Sequence, residues 1–158
     1  VIVRVGKDPY QEQFLAHEGT LIKYSEFFKR ALSGSWVESD LRIITLPEDD
    51  PEIFELFLNY LYTKQLPIQE QKDYTTLTEE EYGSQFNREC ERVGQIYVMG
   101  EKLQSTIVKN AAIFAILGLT KLRDFKGELF VPNPNMVRDI YEGTPPGNPA
   151  RRFLVDIW

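Results

Sequence analysis

Ser25-Glu26-Phe27-Phe28-Lys29-Arg30-Ala31-Leu32-Ser33-Gly34 reads as a helix with both ends marked. Ser25 can cap the first free amides, and Gly34 sits where a left-handed stop is wanted. Phe27, Phe28, Ala31 and Leu32 share one face. Upstream, Val1-Ile2-Val3-Arg4-Val5-Gly6 is β-branched and ends on glycine, as a strand does. Gln13 to His17 is expected to be a second strand, with a hairpin over Lys7-Asp8-Pro9. Glu18 to Tyr24 should start a short helix. Downstream, Leu41 to Leu46 predicts a third strand, with Leu41 and Ile43, and Thr45 beside them, on one side.

Helices dominate the rest. Pro51 suits a first helical turn, Asp50 its N-cap, and Glu52 the helix dipole. Phe54, Phe57, Leu58, Leu61 and Tyr62 then mark the buried stripe of a helix ending near Thr63. Residues 64–78 are polar and irregular. Thr78-Glu79-Glu80-Glu81 matches a capping box. Tyr82, Phe86, Cys90, Val93, Tyr97 and Gly100 follow at helical spacing, predicting one helix over about 79–103. Ser105 can cap a further helix that is apolar on most sides and therefore expected at the centre of a core. Residues 121–130 are mixed and charged. Pro132-Asn133-Pro134-Asn135 introduces another helix, and Gly143 to Pro149 reads as a rigid turn. Residues 150–158 form a last short helix or extended tail. Strands first and helices afterwards indicate α+β: a small, mainly three-stranded sheet at the front on a cluster of helices.

Composition removes whole classes of function. The chain has 158 residues and 42% hydrophobic content. A domain of this length buries roughly 70% of its unfolded surface, so it needs no staple. Acidic residues outnumber basic ones 24 to 18, and no basic run exceeds two residues. That argues against nucleic acid, which needs a dense positive face. The acidity lies in residues 1–120; residues 121–158 carry six basic and five acidic groups. One cysteine and one histidine exclude an internal disulfide and a four-ligand zinc site of Cys and His. The expected setting is intracellular, nucleus or cytoplasm. No apolar run approaches a membrane span, so no membrane partner is expected. The first residue is Val1, so a longer parent protein is expected.

Few residues carry candidate chemistry. His17 is the sole group titrating near neutrality, and a hydrolase would have to use it. The plainer reading is a structural histidine. Cys90 lies on an apolar stripe and is expected to be a buried, inert thiol. Glu48, Asp49, Asp50 and Glu52 lack the alternating ligands and glycine turn of a calcium loop. Glu79-Glu80-Glu81 reads as a solvated first turn. Glycines form neither a phosphate loop nor a dinucleotide fingerprint. No cofactor, metal or catalytic set is predicted. The Val1–Val5 strand, read as a sheet edge, invites strand addition by a partner or ordinary pairing within the chain.

The order of motifs says more. Val3-Arg4-Val5-Gly6, Phe14-Leu15-Ala16-His17, Leu21 and Ser25-Glu26-Phe27-Phe28 together resemble the opening of a BTB/POZ domain. Ala31 to Ser39 and Ile43 to Glu52 look like the filamentous-fungal branch of that family. Phe54-Glu55 and Tyr60-Leu61-Tyr62-Thr63 are similar to its third helix and Tyr-Thr ending. The resemblance covers residues 1–119. Residues 120–158 form a C-terminal helical extension, in which Ile140 to Pro146 and Arg151 to Asp156 resemble a fungal tail. Three features depart from the pattern: Glu18 follows the histidine where a basic residue is common, Lys64 replaces a glycine, and the 64–78 loop is long.

The resemblance implies a non-catalytic protein-interaction module that forms homo- or hetero-oligomers. Its dimer face would map to Val1, Ile2, Val3, Val5, Leu21 and Ile22. The alternative it implies is a substrate adaptor for a cullin-based ubiquitin ligase. Ile68-Gln69-Glu70 would then supply the cullin contact through Ile68 and Glu70, although Ile53-Phe54-Glu55 and Leu77-Thr78-Glu79 fit the same hydrophobic-x-Glu pattern.

Overall fold

Three short strands make one sheet in the order β2-β1-β3. They are β1 (Ile2–Val5), β2 (Glu12–Leu15) and β3 (Ile43–Leu46). The computed structural model describes residues 1–33, 42–66, 77–122, 129, 131 and 133–157. Gly34 and Leu41, to which a helix stop and a strand start were assigned above, lie outside them. β1 pairs antiparallel with β2 across the hairpin and parallel with β3. Gly6 ends β1 at φ 84°, in the left-handed region that glycine enters without strain.

β1 is therefore the middle strand, so of the two alternatives for it, an open edge or pairing within the chain, the structure has the second. Its N–H and C=O groups are shared between two neighbours, so the sheet's edges are β2 and β3. Ile43 and Thr45 share one side of β3, as the spacing predicts, and that side faces outward. Ile44 and Leu46 point into the core, whereas Thr45 is exposed and Ile43 half-buried. The parallel register sets Ile44 beside Val3 and Leu46 beside Val5, both fully buried. Strand alternation then sends Ile43 and Thr45 outward.

Among the described residues seven helices accompany the sheet: α1 (Glu18–Tyr24), α2 (Glu26–Ser33), α3 (Pro51–Thr63), α4 (Glu79–Lys102), α5 (Thr106–Leu119), α6 (Pro134–Glu142) and α7 (Pro149–Asp156). The caps follow the sequence logic in most cases. Ser25 Oγ accepts from Phe28 N at 3.2 Å and donates to Leu103 O at 2.5 Å, tying α2 to the end of α4. Asp50 Oδ1 accepts from Glu52 N at 2.8 Å. Thr78 and Glu81 form the reciprocal capping box. Ser105 precedes α5 without capping it; its hydroxyl is buried and has no hydrogen-bond partner.

The core is aromatic where sheet meets helices. Phe54 of α3 lies edge-on to Phe14 of β2 at 5.1 Å and to Phe28 of α2 at 6.4 Å, and stacks on Phe57 at 5.9 Å. α4 is the spine against which α3, α5 and α6 pack. Its predicted stripe, from Tyr82 to Gly100, is buried throughout. α5 is not central: Val108, Ala112, Ile116 and Leu119 face α4, but Phe114 is 73% exposed. Its composition is apolar on most sides, while its neighbours among the described residues leave the stripe Asn110, Phe114 and Gly118 exposed. The result is an α+β fold with a small sheet at the front of a helical cluster.

The helices after α5 are anchored on the spine. Met136 and Ile140 of α6 are buried. Tyr97 Oη donates to Asn148 Oδ1 at 2.8 Å, and the same oxygen caps α7 by accepting from Ala150 N at 2.9 Å. Arg151 clasps the intervening turn through Tyr141 O, Thr144 O and Thr144 Oγ1.

Candidate interaction surface

Register across the sheet builds the surface. Ile2 sits between Leu15 of β2 and Ile43 of β3. This row turns away from the core, because Val3, Phe14 and Ile44 occupy the inward positions one residue on. Leu15 is 83% exposed, and Ile2 and Ile43 are half-buried. The next outward row, Gln13-Arg4-Thr45, is polar. Arg42 pairs with Glu18 at 2.7 Å and so marks the rim where α1 approaches β3. Val1 continues the pairing, since Ala16 N donates to Val1 O at 3.0 Å.

The six residues assigned to a dimer face divide accordingly. Val3, Val5 and Leu21 are fully buried and belong to the core. Val1, Ile2 and Ile22 keep partial exposure. The sequence reading missed Leu15 and Ile43. Their signal was present in the alternation of Phe14 with Leu15 and of Ile43 with Ile44, but the inward face could not be chosen before the register was known. Ile68 and Glu70 lie outside the described residues.

His17 acts as an anchor. Its backbone N donates to Tyr62 Oη at 2.9 Å, and its ring Nδ1 lies 2.9 Å from the same oxygen. The two rings meet edge-on at 5.8 Å. The contact fixes the start of α1 to the end of α3, which is the structural role expected of a lone histidine.

Cys90 is 1% exposed. Burial pushes its thiol up to about 11 from an ordinary value near 9, with Glu89 and Glu91 adding to the shift and a backbone hydrogen bond at Asn133 opposing it. The thiolate is the nucleophile, so this cysteine is inert in the fold. Above about pH 9 the unfolded chain loses this proton while the folded chain keeps it. The contribution is therefore full below pH 9 and lost as pH rises towards 11, about 2–3 kcal/mol in all. Urea melts at rising pH should show this alkaline loss in the parent and a flatter profile in Cys90→Ala.

The fold is a small mixed sheet at the front of a helical cluster. The BTB/POZ domain family model matches residues 1–110, and the chain belongs to that family. Such domains are protein-interaction modules, generally without catalytic activity. The chain is similar to an Arabidopsis thaliana protein described as an arm repeat protein interacting with ABF2, at 27% identity over 116 residues. The match covers 66% of this chain and 16% of that relative. Among the described residues no helix is long and apolar enough to cross a membrane.

Proposed function

We propose that the chain is a non-catalytic module that forms homo- or hetero-oligomers through the open face of its sheet. The observation that carries this reading is the outward apolar row Leu15-Ile2-Ile43, with Leu15 almost fully exposed at its end. A large aliphatic side chain held that far into water gains when a partner covers it, at roughly 25 cal/mol per Å². Val1, Ile2 and Ile22 remain in the proposed face. On this reading residues 1–119 are the BTB/POZ unit and residues 120–158 an extension, of which α6 packs on α4. Likeness of residues 31–39, 43–52 and the tail motifs to fungal proteins supports a filamentous-fungal member, and the single cysteine fits an intracellular setting, nucleus or cytoplasm.

Light scattering of the purified chain should give a mass above one protomer, falling to about 18.4 kDa for Leu15→Asp. A monomeric parent, or a Leu15→Asp protein of unchanged oligomeric state, would remove this face from the reading. The adaptor role rests on the pattern Ile68-Gln69-Glu70 and is second to it. If it holds, a cullin N-terminal domain should co-purify with the chain and be lost on Glu70→Ala.

A further inference from the structure

At the opposite end of β3 from that apolar row, a cleft of about 280 Å³ opens between the β3–α3 turn, α4 and the end of α6. Ile53, Val98 and Met99 contribute its apolar lining. Five carboxylates surround it: Glu48, Asp49, Asp50, Asp139 and Glu142. One lysine in the lining, Lys102, is already held by Asp49 at 2.6 Å, and Lys7 engages Glu48 at 2.5 Å. Asp139, whose side chain is 20% exposed, meets its neighbour Arg138 at 3.4 Å. No cation among the described residues pairs with Asp50 or Glu142.

Two of these acids sit where local stability disfavours them. Asp139 and Glu142 occupy the last turn of α6, which contains no basic residue, so both face the negative end of the helix dipole. Rules of local stability are broken most often where a site needs the charge. No three carboxylates among the described residues converge closely enough to hold a metal ion. The space is far more than the roughly 10–15 Å³ that one water or a small ion needs, and leaves room for a side chain. An apolar lining beneath a negative rim matches one chemistry, an aliphatic stem ending in a positive head.

We propose that this cleft docks a basic segment of a partner protein, seating a lysine or arginine with its stem over Ile53, Val98 and Met99 and its head among the Asp50, Asp139 and Glu142 carboxylates. It is a second contact surface, separate from the sheet face, and needs no oligomer to form. Charge complementarity there sets partner choice and association rate more than raw affinity.

The test is fluorescence anisotropy of the full chain with a fluorescein-labelled peptide alternating leucine with arginine. Binding is expected at low salt and should weaken at high salt. The double variant Asp139→Asn/Glu142→Gln should weaken it about tenfold. Neutralising two distant surface acids, Glu12→Gln/Asp156→Asn, should leave it within about twofold. Gln95→Arg, at an exposed position of α4 on the cleft, should abolish binding without touching the core. Equal loss from the cleft and distant pairs would overturn the proposal, as would failure of the parent to bind, or equal binding of a leucine–glutamate peptide. Self-association of the parent that Asp139→Asn/Glu142→Gln abolishes, with no peptide competition, would assign the cleft to a second copy instead. Leu15→Asp should retain peptide binding, which separates this surface from the proposed oligomer face.

Discussion

Phe54→Ala should destabilise the fold by about 3–5 kcal/mol, the range for emptying a buried aromatic site. Domains of this kind have roughly 5–15 kcal/mol in total, so the variant would be near the limit of folding. The size of the effect follows from position. Phe54 is fully buried and touches a strand, a helix and its own helix through Phe14, Phe28 and Phe57. Edge-on ring pairs add about 0.5–1.5 kcal/mol each beyond the area they bury. The three neighbours come from separate elements, so none can close the cavity without moving its own backbone. Urea denaturation should show a large fall in midpoint. Phe114→Ala is the matched control. The same truncation at this exposed ring should change stability by no more than about 0.5 kcal/mol. Comparable losses in both variants would mean that the aromatic junction is not the centre of the core.

The second large effect belongs to a glycine. Gly143→Ala should release the end of α6 from α4 at a cost of about 1–3 kcal/mol. Gly143 has φ −87°, a conformation any residue adopts. Its need is for room. A Cβ there would fall 2.7 Å from Val98 Cγ2 and nearer still to Cγ1, with Asp139 O at 3.0 Å on the other side. Val98 is β-branched on a helix and has one strongly preferred rotamer, so its methyls cannot swing away cheaply. Gly94 makes the companion contact, where a Cβ would meet Met136 Cγ at 2.7 Å and the Met136 backbone at 3.3 Å. Limited proteolysis should cut Gly143→Ala faster in the 143–149 turn than the parent. Val98→Ala should rescue it, because the two changes act on one contact and will not add. Gly83→Ala, whose Cβ meets nothing within 4 Å, should instead be neutral or stabilising. Equal proteolysis of all these variants would show that the α4–α6 seam does not depend on this close approach.

Local signals made much of the fold legible in the sequence. Asp50-Pro51 and the Thr78–Glu81 box marked helix starts because capping involves residues two or three positions apart. The stripe from Tyr82 to Gly100 identified a long helix because its period repeats often enough to be unambiguous. Short apolar strands gave less. Four residues of β3 fit either face, and only pairing with Val3 and Val5 turned Ile44 and Leu46 inward. The same pairing placed β1 in the middle, which leaves its outward side chains, not its backbone edge, for the proposed contact. α5 misled for a different reason. Composition shows which residues prefer burial, but cover depends on how many neighbours the topology supplies. The sequence showed the acidic run Glu48-Asp49-Asp50 but not the cleft it borders, since Asp50, Val98 and Glu142 meet only through the packing of three helices.

The parallel pairing of β1 with β3 has a consequence for synthesis. Each β1 residue waits for a partner about forty positions later in the chain. The hairpin with β2 can close almost as soon as it emerges. At roughly 5–20 residues per second, β3 follows β1 by about 2–8 s. During that interval the second edge of β1 is open on the ribosome, flanked by side chains destined for the core. Neighbouring chains on one polysome are the nearest strands available to it. The moment of greatest exposure to misassembly therefore comes before the first half of the chain is complete, and it ends when Ile44 and Leu46 arrive.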